Sequence, residues 1–279
     1  MRLIDEPRNQ WSCARPVEEA GLASFHVGAK HGPPRRYDYV PVADRPYVVV
    51  NMAMTADGKI DTVERQGARI SGSADSARVD RLRAGADAIM VGGRTLTSED
   101  PRLTVRDPEL VAERTVAGRP AQPRKVGVIS RLTQADVDAL STGGAFLREG
   151  GGRVTLCTSR RTDVQVADRL RHEGVEVVIE GIDRVDLAAS LTVLGDLGVE
   201  RLMVEGGATL VAALLEARLV DELQLAVAPL VFGGESAPTP VGGGGWTRAA
   251  ALRLELVAAD TSPDGDVVLR YRTGVEGVR

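Results

Sequence analysis

The sequence predicts an α/β protein: a mostly parallel sheet, helices on both faces, and an antiparallel hairpin at the end of the chain. Three observations carry this. From residue 46 onward, apolar runs alternate with helical patterns. The runs are nearly continuous, as in strands buried on both faces. The final pair of runs turns back through Ser262, Pro263, Asp264, Gly265 and Asp266, a hairpin signal.

The elements follow in order. "PYVVVNMAM" (46–54) is a β-branched run and the first strand. "SADSARVDRLRAGA" (73–86) is a helix, with Ser73 as its N-cap and Gly85 near its end. "DAIMV" (87–91) is a buried strand, and "RKVGVIS" (124–130) and "RVTLCTS" (153–159) are two more. A helix at 163–174 takes Asp163 as cap and leads into a strand at 175–180. Helix 186–198, strand 200–205, helix 207–219 and strand 222–231 complete the alternation. The glycine-rich stretches 149–153 and 242–246 read as loops, and neither lies between a strand and a helix.

Residues 1–45 stand apart from this pattern as an irregular N-terminal extension, and the regular domain is 46–279. The extension is proline-rich and basic toward its end, and reads as a flexible or wrapping segment. Its Trp11, Phe25, Tyr37 and Tyr39 are costly to leave in water, so the alternative is packing on a partner subunit.

Composition narrows the function. The formal charge is −4 with both signs interspersed and no basic tail, which argues against nucleic acid and anionic membranes as partners. Aromatic residues make up 3% of the chain, too few for a stacking platform on single-stranded nucleic acid. Cys13 and Cys157, with His26, His31 and His172, form no metal-ligand spacing, so no zinc site is expected. No apolar run reaches transmembrane length and the N-terminus lacks a signal-peptide core, so a cytoplasmic location is expected.

Two glycine pairs follow buried strands: Gly92-Gly93 and Gly206-Gly207. A glycine there lets a ligand approach the backbone, and the free N–H groups of a helix start favour a phosphate. Thr209 adds a hydroxyl to the second turn. The G-x-G-x-x-G fingerprint is absent, so a dinucleotide would be bound by another solution. Glu205 ends an otherwise apolar strand, where a carboxylate is either solvated or aimed into the cleft at the sheet's carboxyl edge; its place beside the glycine turn favours the cleft. Arg102 and Arg106 follow a proline in a loop suited to a phosphate clamp, whereas a helix-face residue such as Arg83 is ordinarily solvated. Asp57 and Lys59 sit in the turn after the first strand, where they read equally as catalytic groups or as an exposed turn pair.

Together these motifs resemble the reductases of riboflavin biosynthesis: the reductase domain of the bifunctional deaminase-reductases and its stand-alone archaeal and fungal counterparts. "MTADGKI" is similar to that family's S-x-D-G-K-I motif. Residues 71–106 resemble its signature of LRA-x-x-DAI-x-VG leading into T-x-x-x-D-[DN]-P-x-LT-x-R. Residues 204–234 resemble its C-terminal signature. The resemblance implies a dihydrofolate reductase-like three-layer α/β/α sandwich. It implies NADPH as cofactor, contacted by Ala53, Thr95, Glu99, Ser130, Gly206, Gly207, Ala208 and Thr209. It implies a ribosylamino-pyrimidine 5′-phosphate as substrate, contacted by Arg83, Leu103, Arg106 and Glu205, and a homodimer. The stretch 91–106 would then serve the cofactor at its start and the substrate at its end. The family usually carries aspartate where this chain has Glu99. The zinc-binding deaminase elements are missing from residues 1–45, so reduction without deamination is expected. Asp57 and Lys59 are candidates for assisting ring opening, with a water or the substrate itself as the alternatives. A folate- or pteridine-type reductase and a non-catalytic NADPH-binding protein are the rivals. A pure cofactor binder has no need of Arg83, Arg106 and Glu205.

Overall fold

The computed structural model describes residues 44–274. The sheet has nine strands: β1 (Tyr47–Thr55), β2 (Ala88–Gly92), β3 (Arg124–Val128), β4 (Val154–Thr158), β5 (Glu176–Ile179), β6 (Arg201–Val204), β7 (Glu222–Ala228), β8 (Glu255–Thr261) and β9 (Val267–Arg272). Their order is β5-β4-β3-β2-β6-β1-β7-β9-β8. From β5 across to β7 every pair is parallel, and β9 and β8 join antiparallel at one edge, as the sequence predicts.

The helices are α1 (Ser73–Gly85), α2 (Gly93–Glu99), α3 (Pro108–Val116), α4 (Gln134–Gly143), α5 (Ala145–Arg148), α6 (Val164–His172), α7 (Leu187–Asp196) and α8 (Ala208–Glu216). Strand residues alternate between two cores. In β2, Met90 joins Leu202, Val204, Leu194 and Leu214 on one face. Its neighbours Ile89 and Val91 join Leu96, Phe146, Leu156 and Leu170 on the other. This is the three-layer arrangement, and its period-two alternation is hidden in the sequence because both faces are apolar.

The helices α2 to α5 were not marked by the sequence pattern. Two of them carry local start signals. Asp107 caps α3 by accepting from the Glu109 N–H, with Pro108 at its first position. Thr133 and Asp136 form a reciprocal capping box on α4. The short α2 starts at a glycine and is rich in threonine, so its helical state comes from tertiary packing through Leu96.

One expected cap is corrected. Ser73 is the first helical residue of α1, not its cap; Gly72 precedes it and has no side chain to offer. The acceptor comes instead from the β8–β9 turn. Asp264 Oδ2 accepts from the Ala74 N–H at 2.7 Å and the Ser73 hydroxyl at 3.3 Å. A Cβ at position 72 would lie 2.3 Å from that oxygen, so glycine is required there. The hairpin that ends the sheet thus anchors the helix that follows its first loop.

Chain order places β6 between β1 and β2, with Val204 flanked by Val50 and Met90. The sheet's carboxyl edge opens into a crevice at this switch in strand order, where ligands of open α/β sheets collect. For the cross-molecule cap, Asp264→Ala should lower unfolding stability by about 0.5–2 kcal/mol. Urea unfolding measures this, and an unchanged midpoint would contradict the cap.

Candidate active site

The crevice holds a cleft of about 250 Å³. The end of β1 supplies Asn51, Met52 and Ala53, α1 supplies Asp75 and Val79, and α2 supplies Thr95 and Glu99. Glu205, Gly206 and Gly207 close it from β6, and Ile60, Ile70 and Ser71 from the loop before α1. Clefts of about 540 and 550 Å³ lie elsewhere, beside Leu215 and Thr273 and beside Leu147 and Val175. Chemistry favours the smaller cleft, because the Gly206-Gly207 turn and α2, which starts at Gly93, meet there.

The two glycine turns are joined by backbone hydrogen bonds. The Gly92 N–H donates to the Gly206 carbonyl at 2.8 Å, and the Glu205 N–H to the Met90 carbonyl at 3.0 Å. A Cβ on Gly207 would stand 3.3 Å from Thr95 Oγ1, and one on Gly92 would stand 3.4 Å from the Gly207 nitrogen. α8 begins directly after Gly207 with no side-chain cap, so its first N–H groups remain available to an anion. This cradle fits the pyrophosphate of a nicotinamide dinucleotide. Ala208 and Thr209 form its helical side.

Arg83 is far from solvated. Its Nε and Nη2 donate to Glu205 Oε1 and Oε2, both at 2.7 Å, and Nη1 donates to the Thr104 carbonyl at 2.9 Å. Burial opposes the guanidinium charge, yet the Glu205 carboxylate holds its pKa above the ordinary value. Leu103 beside it is buried with φ of 49°, a left-handed conformation that bulky residues rarely adopt outside tightly determined sites.

Arg106 lies along α1 rather than in the cleft wall. Its backbone N–H and that of Asp107 donate to Asp80, and its Nη2 donates to the Ser76 carbonyl at 3.3 Å. Its Nε also lies 3.5 Å from Asp80 Oδ1, but the side chain remains 60% exposed, so part of the guanidinium stays open to solvent. Arg102, by contrast, is in a surface pair with Glu149.

Arg83, Leu103, Arg106, Ala208 and Thr209 adjoin the cleft without lining it, and Asp57, Lys59 and Ser130 also stand outside its lining. The Asp57 carboxylate accepts from the Thr55 hydroxyl and from the N–H groups of Phe232 and Gly233, which hold its pKa below the usual range. Lys59 reaches the Ala237 carbonyl at 3.4 Å. Ser130 follows β3, where its hydroxyl accepts from the Val185 N–H and its carbonyl from the Ser159 hydroxyl.

Residues not singled out in the sequence line the same cleft. Asn51 and Asp75 are buried, and both are held by Arg78 of α1. An acid in the first turn of a helix is ordinary from sequence, and only the fold turns this one inward. Asp61 shapes the loop above by accepting from the N–H groups of Thr62, Gly67 and Ala68. Burial opposes its charge, but these donors and Arg65 keep its pKa low.

Glu99 stands at the rim. Crowding by protein atoms, then the nearby Asp61 charge, raise its pKa. The folded protein therefore binds its proton more tightly than the unfolded chain. Stability falls as pH rises from the unfolded pKa through the raised folded value, and the penalty is fully present above that value. Glu99→Gln should raise the melting temperature at pH 7, with the gain fading as pH falls through the raised folded pKa toward about 4.5. A lower melting temperature at pH 7 would contradict the raised pKa. Destabilising groups of this kind are retained where binding needs them.

Comparisons with known proteins show the family of the chain. Residues 46–268 match the family model described as the RibD C-terminal domain. The chain is 40% identical over 195 residues to the 2,5-diamino-6-ribosylamino-4(3H)-pyrimidinone 5′-phosphate reductase of Archaeoglobus fulgidus, covering 70% of this chain and 85% of that one. It is 38% identical over 228 residues to the protein of the same name from Methanothermobacter thermautotrophicus, covering 81% and 98%. Its fold matches that of a pyrimidine reductase-like protein from Corynebacterium diphtheriae, with a TM-score of 0.69 at 21% identity, covering 86% of this chain and 98% of that one. The chain belongs to the RibD C-terminal domain family, the pyrimidine reductases of riboflavin biosynthesis with a dihydrofolate reductase-like fold.

Proposed function

We propose that this chain reduces 2,5-diamino-6-ribosylamino-4(3H)-pyrimidinone 5′-phosphate to its ribitylamino product, with NADPH as the cofactor. The observation that carries the reading is the end of β6. There an anion cradle at Gly206-Gly207 adjoins the paired Arg83 and Glu205. The two archaeal relatives carry the name of this activity.

Bound nicotinamide supplies the hydride. The C1′–O4′ bond of the ribosylamine breaks, C1′ gains the hydride, and O4′ takes one proton. The chain's own tasks are holding and orienting. Ala53, Thr95 and Glu99 line the cofactor's end of the cleft, and the Gly206–Thr209 turn receives the pyrophosphate. Ser130, after β3, extends this side along the sheet edge. Glu205 keeps lone pairs for ribose hydroxyls while Arg83 fixes its carboxylate plane. Arg106 takes the 5′-phosphate, and Leu103 seats the loop that carries it. Asp57 and Lys59 serve the loops they bind, since the Asp57 carboxylate is held ionised by three donors.

Support for NADPH over NADH comes from Arg131, Arg160 and Arg161. All are exposed, follow the neighbouring strands β3 and β4, and among the described residues have no ion-pair partner. Support for a homodimer comes from β8. It is the last strand of the sheet and almost fully exposed, with Leu256 and Val257, and Leu254 just before it, partly open to water. The aromatics Trp11, Phe25, Tyr37 and Tyr39, also expected to need cover, lie outside the described residues.

Three outcomes are expected. Arg106→Ala should reduce kcat/KM for the pyrimidine substrate roughly tenfold to 150-fold, the loss of one charge-assisted contact, with NADPH affinity nearly unchanged. A change within about twofold would refute the phosphate clamp and reopen a pteridine reductase lacking a phosphorylated substrate. Replacing Arg160 and Arg161 by alanine should cut the preference for NADPH over NADH by roughly tenfold or more, and an unaltered ratio would remove them from the 2′-phosphate site. Light scattering at micromolar concentration should give the mass of a dimer, and a monomer would count against the β8 interface.

A further inference from the structure

α2 has little of its own to hold it in place. It is seven residues long, begins without a side-chain cap, and ends at Asp100, whose φ of 42° is left-handed. Isolated helices of this length are unstable in water, so something outside α2 fixes where it ends. That end matters, because Glu99 lines the cleft and the loop after Pro101 carries Leu103 and Arg106. Asp100 supplies the tie. Its Oδ2 accepts from the Ala145 N–H and its Oδ1 from the Phe146 N–H, both at 2.9 Å. These are the first two N–H groups of α5, which starts after Gly144 and has no side-chain cap of its own.

The surroundings reinforce this tie. Phe146 is fully buried and shares a core with Leu96 of α2. A Cβ on Gly127 of β3 would come within 2.8 Å of Leu96 Cδ2 and 3.5 Å of Phe146 Cζ, so strand, α2 and α5 are in close contact. The buried Lys125 donates from Nζ to the Glu149 carbonyl at 2.9 Å. Burial pushes its pKa down, and the Asp100 and Glu149 carboxylates oppose that shift. Arg102 pairs with the Glu149 carboxylate. Residues 100–102, the joint between α2 and the loop, are therefore held on α5. Further along, Gln122 holds both backbone groups of Val105, accepting from its N–H at 2.8 Å and donating to its carbonyl at 2.9 Å.

We propose that Asp100 is a positioning residue for hydride transfer: by capping α5 it fixes the offset between the cofactor-contacting end of α2 and the substrate-contacting loop 103–106. The inference rests on the proposed function above. Asp100 touches neither ligand. Its two contacts fix direction as well as distance, and hydride transfer is sensitive to both, since a displacement of about 1 Å can cost on the order of a hundredfold in rate. Without the tie each half of the site still holds its own ligand, and only their mutual approach is disturbed. The loss therefore falls on kcat at saturation of both ligands rather than on either binding step. A carboxylate accepts from both N–H groups at once, whereas an asparagine keeps one acceptor and rescues in part.

The experiment compares wild type with Asp100→Ala, Asp100→Asn and Asp136→Ala. Asp136 bonds Thr133 at the start of α4, so its loss removes a helix cap without freeing residues 100–106. Asp100→Ala should lower kcat by roughly tenfold or more, with KM for the pyrimidine phosphate and the NADPH dissociation constant within about threefold of wild type. Asp100→Asn should recover part of kcat. Asp136→Ala should keep the wild-type kcat despite a lower melting temperature. A loss confined to KM or to NADPH binding in Asp100→Ala, or an equal loss of kcat in Asp136→Ala, would overturn the assignment. If Asp100→Ala does not fold, Asp100→Asn carries the same comparison with a smaller loss. Amide hydrogen exchange on the same proteins needs no turnover. The Asp100 variants should exchange faster across 95–99, 102–106 and α5, and Asp136→Ala only in α4. That pattern supports the tie even if the wild type does not reduce the pyrimidine phosphate, and unaltered exchange across 95–106 overturns it.

Discussion

The ion pair between Arg83 and Glu205 holds the site together. It joins α1 to the carboxyl end of β6, at the place where β6 is inserted between β1 and β2. Through the Thr104 carbonyl the same guanidinium also fixes the loop that carries Leu103 and Arg106. One side chain therefore sets the distance between the Gly206-Gly207 turn and the loop that carries Arg106. Its bidentate geometry fixes orientation as well as distance, which a lysine would not supply.

α1 is built for this task rather than for packing alone. Its buried positions include Asp75 and Asp80 as well as Leu82. Arg78 reaches β1 and β7, Asp80 collects the N–H groups of Arg106 and Asp107, and Arg83 reaches β6. Buried polar networks of this kind add little to stability unless every group is satisfied. Here Asp75 and Asn51 are left half-satisfied toward the cleft, and Glu99 carries a charge its surroundings disfavour. Nearby Asp266 has its pKa raised by burial and then by the Asp75 charge. Stability given up at a cleft is a mark of binding.

What the sequence revealed and concealed follows the same physics. The apolar strands and the helices α1, α6, α7 and α8 were legible, because a parallel sheet buried on both faces writes itself as apolar runs separated by helical periods. Gly206-Gly207 and Glu205 were legible because a turn and a charge interrupt such a run. The cap of α1 was misplaced because its acceptor, Asp264, lies 190 residues away. Arg83 read as a solvated helix residue until the family motif was invoked, since its partner is 122 positions distant. Asn51, Asp75 and Arg78 gave no signal. A polar face turned inward resembles a polar face turned outward, and α1 has no apolar stripe to tell them apart.

The most direct measurement is a double-mutant cycle on Arg83→Leu and Glu205→Leu, read as kcat/KM for the ribosylamino-pyrimidine phosphate at saturating NADPH. Each single change leaves a desolvated charge without its partner and should reduce kcat/KM by roughly a hundredfold or more. If the pair acts as one unit, the double variant should be no worse than the poorer single variant. Losses that multiply would contradict the claim that this ion pair organises the site.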